Sequence, residues 1–478
     1  MNNYDVIIAG SGIIGKTIAF SLRFSNLKIL VVDPSYKKNG SASLAAGAML
    51  GVFGEVTSDK KSELDMKEIK FRLDSSDLYP EFIDDLENES GQKIYQSEGT
   101  FIIANTVGQM DRINIDYMYS IIKSFNGTGE WIDPKNIPNY KPNVNHEAYK
   151  AIYLPNEKSV SSEDMFNALD KALAKYSNIS FLDDEVLKLI IQKDRIIGVE
   201  TKNKGEIFSG KVVLSSGIGT AKILEKSNIE KKLTNTPKLL AGKGSSLIFE
   251  AQEEFKHVIR TPNRDFACGT HIVPRKGTLY VGATNRIMNT PGQNDGVTGG
   301  EIHSLLHSAI HEINTDLRSM NVSKILFGSR PITVDRYPLI GNFMYENLFI
   351  ATGTYRNGIV MAPLIAKIIQ MDLLGKEAIY DNYFTPGFRE NYAKKDKSIL
   401  IKDGVRDLVS FIQEPFGKLP YNRGKELESF LYEIMNAILE VDKNKKANED
   451  IEHFRKMFEE YPMSEIIPTL YYQLQEKK

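Results

Sequence analysis

Three groups of residues in this chain have types and spacings that can do chemistry. The first is Gly10-Ser11-Gly12-Ile13-Ile14-Gly15, with an acid, Asp33, followed by Pro34, about 20 residues further on. This is the spacing that cradles a pyrophosphate. Gly10 permits a tight turn, Gly12 lets backbone approach the phosphates, and Gly15 lets a helix pack close to a strand. An acid at Asp33 suits a ribose hydroxyl and disfavours a 2′-phosphate, so NADP is disfavoured. The second group is a pair of arginines in turn-rich surroundings, Arg330 and Arg356. A guanidinium matches a planar carboxylate with two parallel hydrogen bonds. The third is histidine: His271 in His-Ile-Val-Pro-Arg, and His303, His307 and His311 at i, i+4, i+8. That spacing can bind metal, but with no further ligand in view it is read as a polar surface stripe, and no metal site is expected. No Ser-His-Asp order competes with these groups. The lone cysteine, Cys268, can form neither an internal disulfide nor a Cys-rich zinc site, and is read as a small buried hydrophobe.

The elements that must position these groups are legible locally. Tyr4–Ala9 is a short β-branched run that stops at glycine, as a buried parallel strand does. A helix follows over Lys16–Leu22 and a second strand over Lys28–Val32. The order strand, GxGxxG, helix, strand, acid predicts an α/β dinucleotide-binding unit. Gly40 to Gly51 is a run of small residues, Ser43, Ala45, Ala46 and Gly47 among them, that lets backbone lie against a large flat ligand. Near the C-terminal side, Phe349-Ile350-Ala351 predicts a strand, Gly353 to Gly358 a turn, and Ile359–Ile369 a helix. A helix start preceded by Asn357-Gly358 stabilises negative charge.

The chain has 478 residues, 41% apolar and 26% charged, with 60 Lys+Arg against 62 Asp+Glu and a net charge of −2. These values exclude wholesale disorder and provide no global field for nucleic acid, so no nucleic-acid partner is expected. Length predicts roughly two to four domains. No stretch reaches the about 20 apolar residues of a membrane-spanning helix, and the N-terminus lacks a basic n-region. A cytoplasmic protein is expected.

With these motifs in view, the chain resembles the D-amino-acid-oxidase-like superfamily of FAD-dependent amine oxidoreductases, most closely its glycine oxidase and sarcosine oxidase branch. The resemblance runs from about Tyr4 to about Lys376. It is carried by GxGxxG, Ser43-Leu44-Ala45-Ala46-Gly47, the segment at Val186, and Ser215-Ser216-Gly217. It continues through His271–Arg275 with Leu279–Thr284, Gly328-Ser329-Arg330-Pro331, and Thr352-Gly353-Thr354-Tyr355-Arg356-Asn357-Gly358. The resemblance implies an α/β (α+β) fold. A Rossmann-like FAD domain (about 1–75, 160–225 and 325–378) is interleaved with a mixed-sheet substrate domain (76–159 and 226–324). It implies Met49 near the isoalloxazine, Val186 beside the adenine, and Ser216-Gly217 over the dinucleotide. Gly353, Asn357, Gly358 and Ile359 fall at the ring edge. Arg330 is the carboxylate anchor, and Arg356 and Tyr355 lie near the flavin or pocket mouth. His271 stands where relatives often carry tyrosine. No cysteine stands at the covalent flavin position of sarcosine oxidases, so FAD is expected to be non-covalent.

The implied reaction is hydride transfer from a small amino acid or amine, of glycine, sarcosine or D-amino-acid type, to flavin N5. The imine then hydrolyses and O2 is reduced to H2O2. Two alternatives stay open: a pathway-specific enzyme for a larger or partner-bound amine, and a flavoprotein with mainly an assembly role. Residues 379–478 lie beyond the resemblance. Lys397–Ile412, Gly424–Leu439 and Asn448–Tyr461 have helical apolar spacing, as a packing appendage, a lid, or a surface for a second copy or a protein partner.

Overall fold

Tyr4–Ala9 is a strand whose last four residues are buried. It runs parallel to Ile29–Val32 on one side and Gly205–Leu214 on the other. A strand covered on both faces needs a continuous apolar run rather than alternation, and Val6-Ile7-Ile8-Ala9 supplies one. The computed structural model describes residues 4–34, 41–105, 109–229, 236–251, 253–264, 268–288 and 296–386, with separated residues between 398 and 436. The first sheet has the order Leu339–Asn342, Leu348–Thr352, Gly205–Leu214, Tyr4–Ala9, Ile29–Val32, Ile179–Leu182. An antiparallel excursion, Val186–Gln192 and Arg195–Thr201, pairs back onto Gly205–Leu214. Helices Ile13–Ser21 and Gly358–Leu374 pack together on one face, sharing a core with Ile18, Phe20, Val360 and Ile365. The opposite face buries Ile7, Ala9, Val212 and Leu214 against Ile223 and Leu224 of helix Gly219–Lys226.

The second sheet is mostly antiparallel. Its order is Arg286–Met288, Leu239–Glu250, Thr278–Gly282, His271–Arg275, His257–Arg260, Glu98–Asn105, Ala148–Leu154, Glu130–Ile132. Val322–Thr333 pairs along nearly all of Leu239–Glu250, and this long ladder carries Arg330 opposite Gly242. Helix Gln109–Ser124 covers one region of the sheet through Ile115, Met118 and Ile122. Two mixed sheets with covering helices make the α/β architecture that the sequence predicts.

Helix Gly358–Leu374 contains Pro363. A proline has no N–H to give the carbonyl four residues earlier, here that of Ile359. The Tyr79 hydroxyl fills the gap, donating to Ile359 O at 2.5 Å. Ser75 Oγ accepts from Leu364 N–H at 3.2 Å, just after the interruption. Tyr79→Phe leaves a buried carbonyl without a donor and is expected to cost about 1–3 kcal/mol of stability. Denaturant unfolding of the flavin-loaded protein measures it, and an unchanged midpoint counts against this account.

The histidine stripe lies on a less regular element than its spacing predicts. Helix Gly299–Ser308 passes into a π turn, Ala309–Ile313, and then a 3₁₀ turn, Thr315–Ser319, capped by the Asn314 side chain. A π turn is usually a single turn inserted in an α-helix, so the apolar period of the surrounding sequence does not reveal it. His146, from far upstream, joins the stripe, its ring 5.4 Å from that of His311. In the tail, the described residues between 398 and 436 are helical, and Ile401, Val405, Val409, Leu431 and Met435 are buried at helical spacing. Asn448–Tyr461 lies outside the described residues.

Candidate functional site

The GxGxxG loop shows why each glycine is there. Gly10 has φ +109°, and a Cβ on it would meet Ser215 O at 2.5 Å; one on Gly15 would meet Gly10 O at 2.0 Å. Both glycines are demanded by the protein's own packing. Gly12 is different: the nearest atom to its missing Cβ is Ser43 Oγ at 3.5 Å. Its bareness leaves space on the cleft side, where a phosphate can lie against backbone. Gly12 caps helix Ile13–Ser21 with no side-chain hydrogen bond, while Ile13 N–H reaches Ser43 Oγ at 3.2 Å. Asp33 Oδ2 accepts from Ser11 N–H at 2.7 Å, bracing the loop to the end of the second strand. Burial pushes the Asp33 carboxyl up, against the pull of that bond and of the Lys16 charge.

A cleft of about 450 Å³ runs from this loop along the small-residue segment to a polar end in the second sheet. Of the expected residues, Gly12, Ile13, Ile14, Asp33, Pro34, Ser43, Ala46, Gly47, Met49, Val186, Ser216 and Gly217 line it, as do His271, Arg330, Tyr355, Arg356, Asn357, Gly358 and Ile359. Gly10, Ser11, Gly15, Ala45 and Gly353 stand behind this lining. Ala45 O accepts from the Tyr280 hydroxyl at 3.1 Å, which holds the small-residue segment against the hairpin. Gly353 has φ +72°, and a Cβ there would press on Thr333. A cradle that a Cβ would fill at Gly12, two uncapped helix starts at Ile13 and Gly358, and a long cleft between them fit an extended dinucleotide.

Arg330 is held at the polar end by Thr284 O and Asn285 Oδ1, each 3.1 Å from Nη1. Among the described residues it forms no ion pair, so a ligand carboxylate has an unneutralised guanidinium to meet. The side chain lies over Gly244, where a Cβ would be 2.2 Å from Nη1. Asn285 Nδ2 also donates to the Tyr355 hydroxyl at 2.7 Å, and Arg356 Nη2 does so at 2.9 Å. Burial pushes the Tyr355 hydroxyl up to about 12, so it stays protonated. Tyr355 has φ +50°, a conformation costly for a bulky residue and favoured where a site imposes it.

His271 is buried, with Nδ1 2.9 Å from Gly269 O. A carbonyl only accepts, so Nδ1 carries the proton and Nε2 is the acceptor. Burial, followed by the Arg260 charge, pushes His271 down to about 3, so the ring is neutral. It stacks on Tyr280 at 5.7 Å.

Sequence reasoning missed a third cluster. Arg260, buried at the end of strand His257–Arg260, pairs Nη1 with Glu55 Oε1 at 2.5 Å and donates from Nη2 to Asn263 Oδ1 at 2.7 Å. Asn263 Nδ2 donates to Glu55 Oε2 at 2.7 Å. All three line the cleft. Burial alone would raise Glu55, but the Arg260 and Arg356 charges and these hydrogen bonds hold it down at about 2. Nothing local in the sequence marks this triad. Gly242 and Gly244 inside a strand did carry a signal, since such glycines often mark a close approach by another group.

Cys268 also lines the cleft. Among the described residues, no group of three His, Cys, Asp or Glu is arranged to hold a metal ion, and no helix is long and apolar enough to cross a membrane.

Comparison with known proteins agrees with this geometry. The glycine oxidase of Geobacillus kaustophilus is 28% identical over 388 residues, 80% of this chain and 95% of that protein. Its crystal structure superposes with a TM-score of 0.69, covering 82% of this chain and all of the other. The bifunctional ThiO/ThiG protein of Trichormus variabilis is 27% identical over 76% of this chain, which spans about half of that relative's length. Iminodiacetate oxidase from Chelativorans shares the fold with a TM-score of 0.67 at 18% identity. The model of the DAO family, FAD dependent oxidoreductases, matches residues 5–370, a span that takes in the phosphate loop, both sheets and every lining residue of the cleft. This chain therefore belongs to the DAO family of FAD-dependent oxidoreductases and is an amino-acid or amine oxidoreductase.

Proposed function

We propose that the protein oxidises the C–N bond of a small amino acid or amine of glycine, sarcosine or D-amino-acid type. The imine product hydrolyses to a carbonyl compound and an amine or ammonia, and O2 is reduced to H2O2. The observation that carries this reading is Arg330: an arginine without an acidic partner among the described residues, in the same cleft as the phosphate loop. The names of the glycine oxidase and iminodiacetate oxidase relatives point to the same substrate class, an amine bearing a carboxylate.

Gly12–Ile14, Asp33, Ser43–Gly47, Val186 and Ser216-Gly217 would hold FAD, which would supply the two-electron acceptor. The chain's own residues do the rest. Arg330 fixes the carboxylate and so aims the Cα–H. Neutral His271 offers Nε2 as an acceptor without adding a positive charge that would repel an ammonium. The uncapped start of helix Gly358–Leu374 favours negative charge at its end of the cleft. The interleaved FAD and substrate domains, non-covalent FAD and a cytoplasmic setting belong to this proposal.

The test is an anaerobic mixing experiment. The purified protein is expected to be yellow, to release free FAD on acid denaturation, and to bleach rapidly with glycine, sarcosine or D-alanine. Intact flavin that none of these reduces would overturn the small-substrate reading.

A further inference from the structure

We infer that Glu55 is the amine-side contact of the pocket, a carboxylate positioned by Arg260 and Asn263 to accept an N–H of the substrate whose carboxylate Arg330 holds. This rests on the proposed amine oxidation and narrows it to primary and secondary amino acids, which carry such an N–H.

The argument begins with lone pairs. A carboxylate has about four acceptor positions. Glu55 Oε1 takes Arg260 and Oε2 takes Asn263, which leaves acceptor capacity on a group that lines the cleft. Arg260 is in the opposite state. Its Nε bonds Thr261 O, Nη1 bonds Glu55 and Nη2 bonds Asn263. Three of its five N–H groups go to protein oxygens and its charge is paired with Glu55. It therefore aims Glu55, while Arg330 is the guanidinium that forms no ion pair among the described residues.

The position is also consistent: Glu55, Arg260, His271 and Arg330 all line the same cleft. A small amino acid lying between Arg330 and Glu55 thus has its anionic end at a cation and its nitrogen at an anion. A brace that joins two distant chain segments is costly to maintain for packing alone, since breaking a buried charge pair is strongly destabilising while apolar replacements are often tolerated.

The experiment uses the flavin-loaded protein and two kinds of ligand. Glycine and sarcosine are followed by the concentration dependence of anaerobic bleaching. Acetate, a carboxylate with no N–H, is followed by perturbation of the flavin absorbance. Glu55→Gln keeps the shape of the side chain and removes its charge. It is expected to weaken glycine and sarcosine by about 10- to 100-fold, the scale of a hydrogen bond to a charged group. Acetate should bind equally or more tightly, because a negative charge has left the pocket. Asn263→Ala, which loosens Glu55 without touching its charge, is expected to move the amino acids in the same direction by less. A merely structural role for Glu55 would weaken all three ligands together, and that result, or unchanged amino-acid binding, overturns the inference. Wild-type flavin bleached by neither amino acid would instead overturn the oxidation reading, and this inference with it.

Discussion

Replacing Arg330 by alanine is expected to cost a carboxylate-bearing substrate about 2–5 kcal/mol, the usual loss when one partner of a desolvated charge pair is removed. At about 1.36 kcal/mol per tenfold, this is roughly 30- to 5000-fold in kcat/KM. An amine without a carboxylate should lose far less, and equal losses on both would show that Arg330 does not hold the carboxylate. Gly244 provides a companion that never touches the substrate. A methyl group there would occupy the space of the Arg330 guanidinium, 2.2 Å from Nη1 and 2.4 Å from Cζ. The guanidinium is the far end of a flexible side chain, so Gly244→Ala should leave the fold largely intact while displacing the anchor. It is therefore expected to reproduce much of the Arg330→Ala loss, with flavin content retained. Normal kinetics in Gly244→Ala would mean that the guanidinium reaches the same ligand from another direction.

The second large effect lies at the other end of the cleft. Gly15→Ala forces a Cβ to 2.0 Å from Gly10 O and 2.8 Å from Ser215 Oγ. The first neighbour is backbone in a loop pinned by Asp33, so helix Ile13–Ser21 must move off the sheet. Overpacking in a well-packed core typically costs about 1–3 kcal/mol, and a backbone clash belongs at or above the top of that range. The expected outcome is a protein with little bound FAD and a lowered unfolding midpoint. Gly12→Ala separates the two consequences. Its Cβ meets only Ser43 Oγ, at 3.5 Å, so the apo fold should keep its stability while FAD affinity falls. The ratio of flavin to protein absorbance, with unfolding of the stripped protein, reads both. A Gly12→Ala protein with full FAD would remove the phosphate-cradle assignment.

The sequence was most informative where the physics is local. Val6-Ile7-Ile8-Ala9 and the glycines after it specify a buried strand and a tight turn through contacts a few residues long, and the strand formed at Tyr4–Ala9. Arg330 was legible because Gly328-Ser329-Arg330-Pro331 is a recognisable motif, although it lies within strand Val322–Thr333 and not in a turn. Glu55 and the Arg260–Asn263 pair were not, because about 200 residues separate the two segments that the fold brings together. Arg260 depends on the pairing of His257–Arg260 with Glu98–Asn105 and His271–Arg275. Glu55 comes from the loop after the small-residue run. No spacing in the chain encodes that meeting. The histidine stripe shows the other limit: the i, i+4, i+8 count is correct, yet it gives no hint that the backbone widens into a π turn at Ala309–Ile313 or that His146 arrives beside it.

The hydroxyl of Tyr79 on the carbonyl beneath Pro363 has a consequence for inheritance. Neither residue is useful alone: the proline without the phenol leaves a buried acceptor unpaired, and the phenol beside an uninterrupted helix has no carbonyl to meet. Positions 79 and 363 should therefore be gained and lost together as homologues diverge. A chimera that takes the helix Gly358–Leu374 from one parent and the helices around Tyr79 from another is compatible only when both parents carry the pair or both lack it.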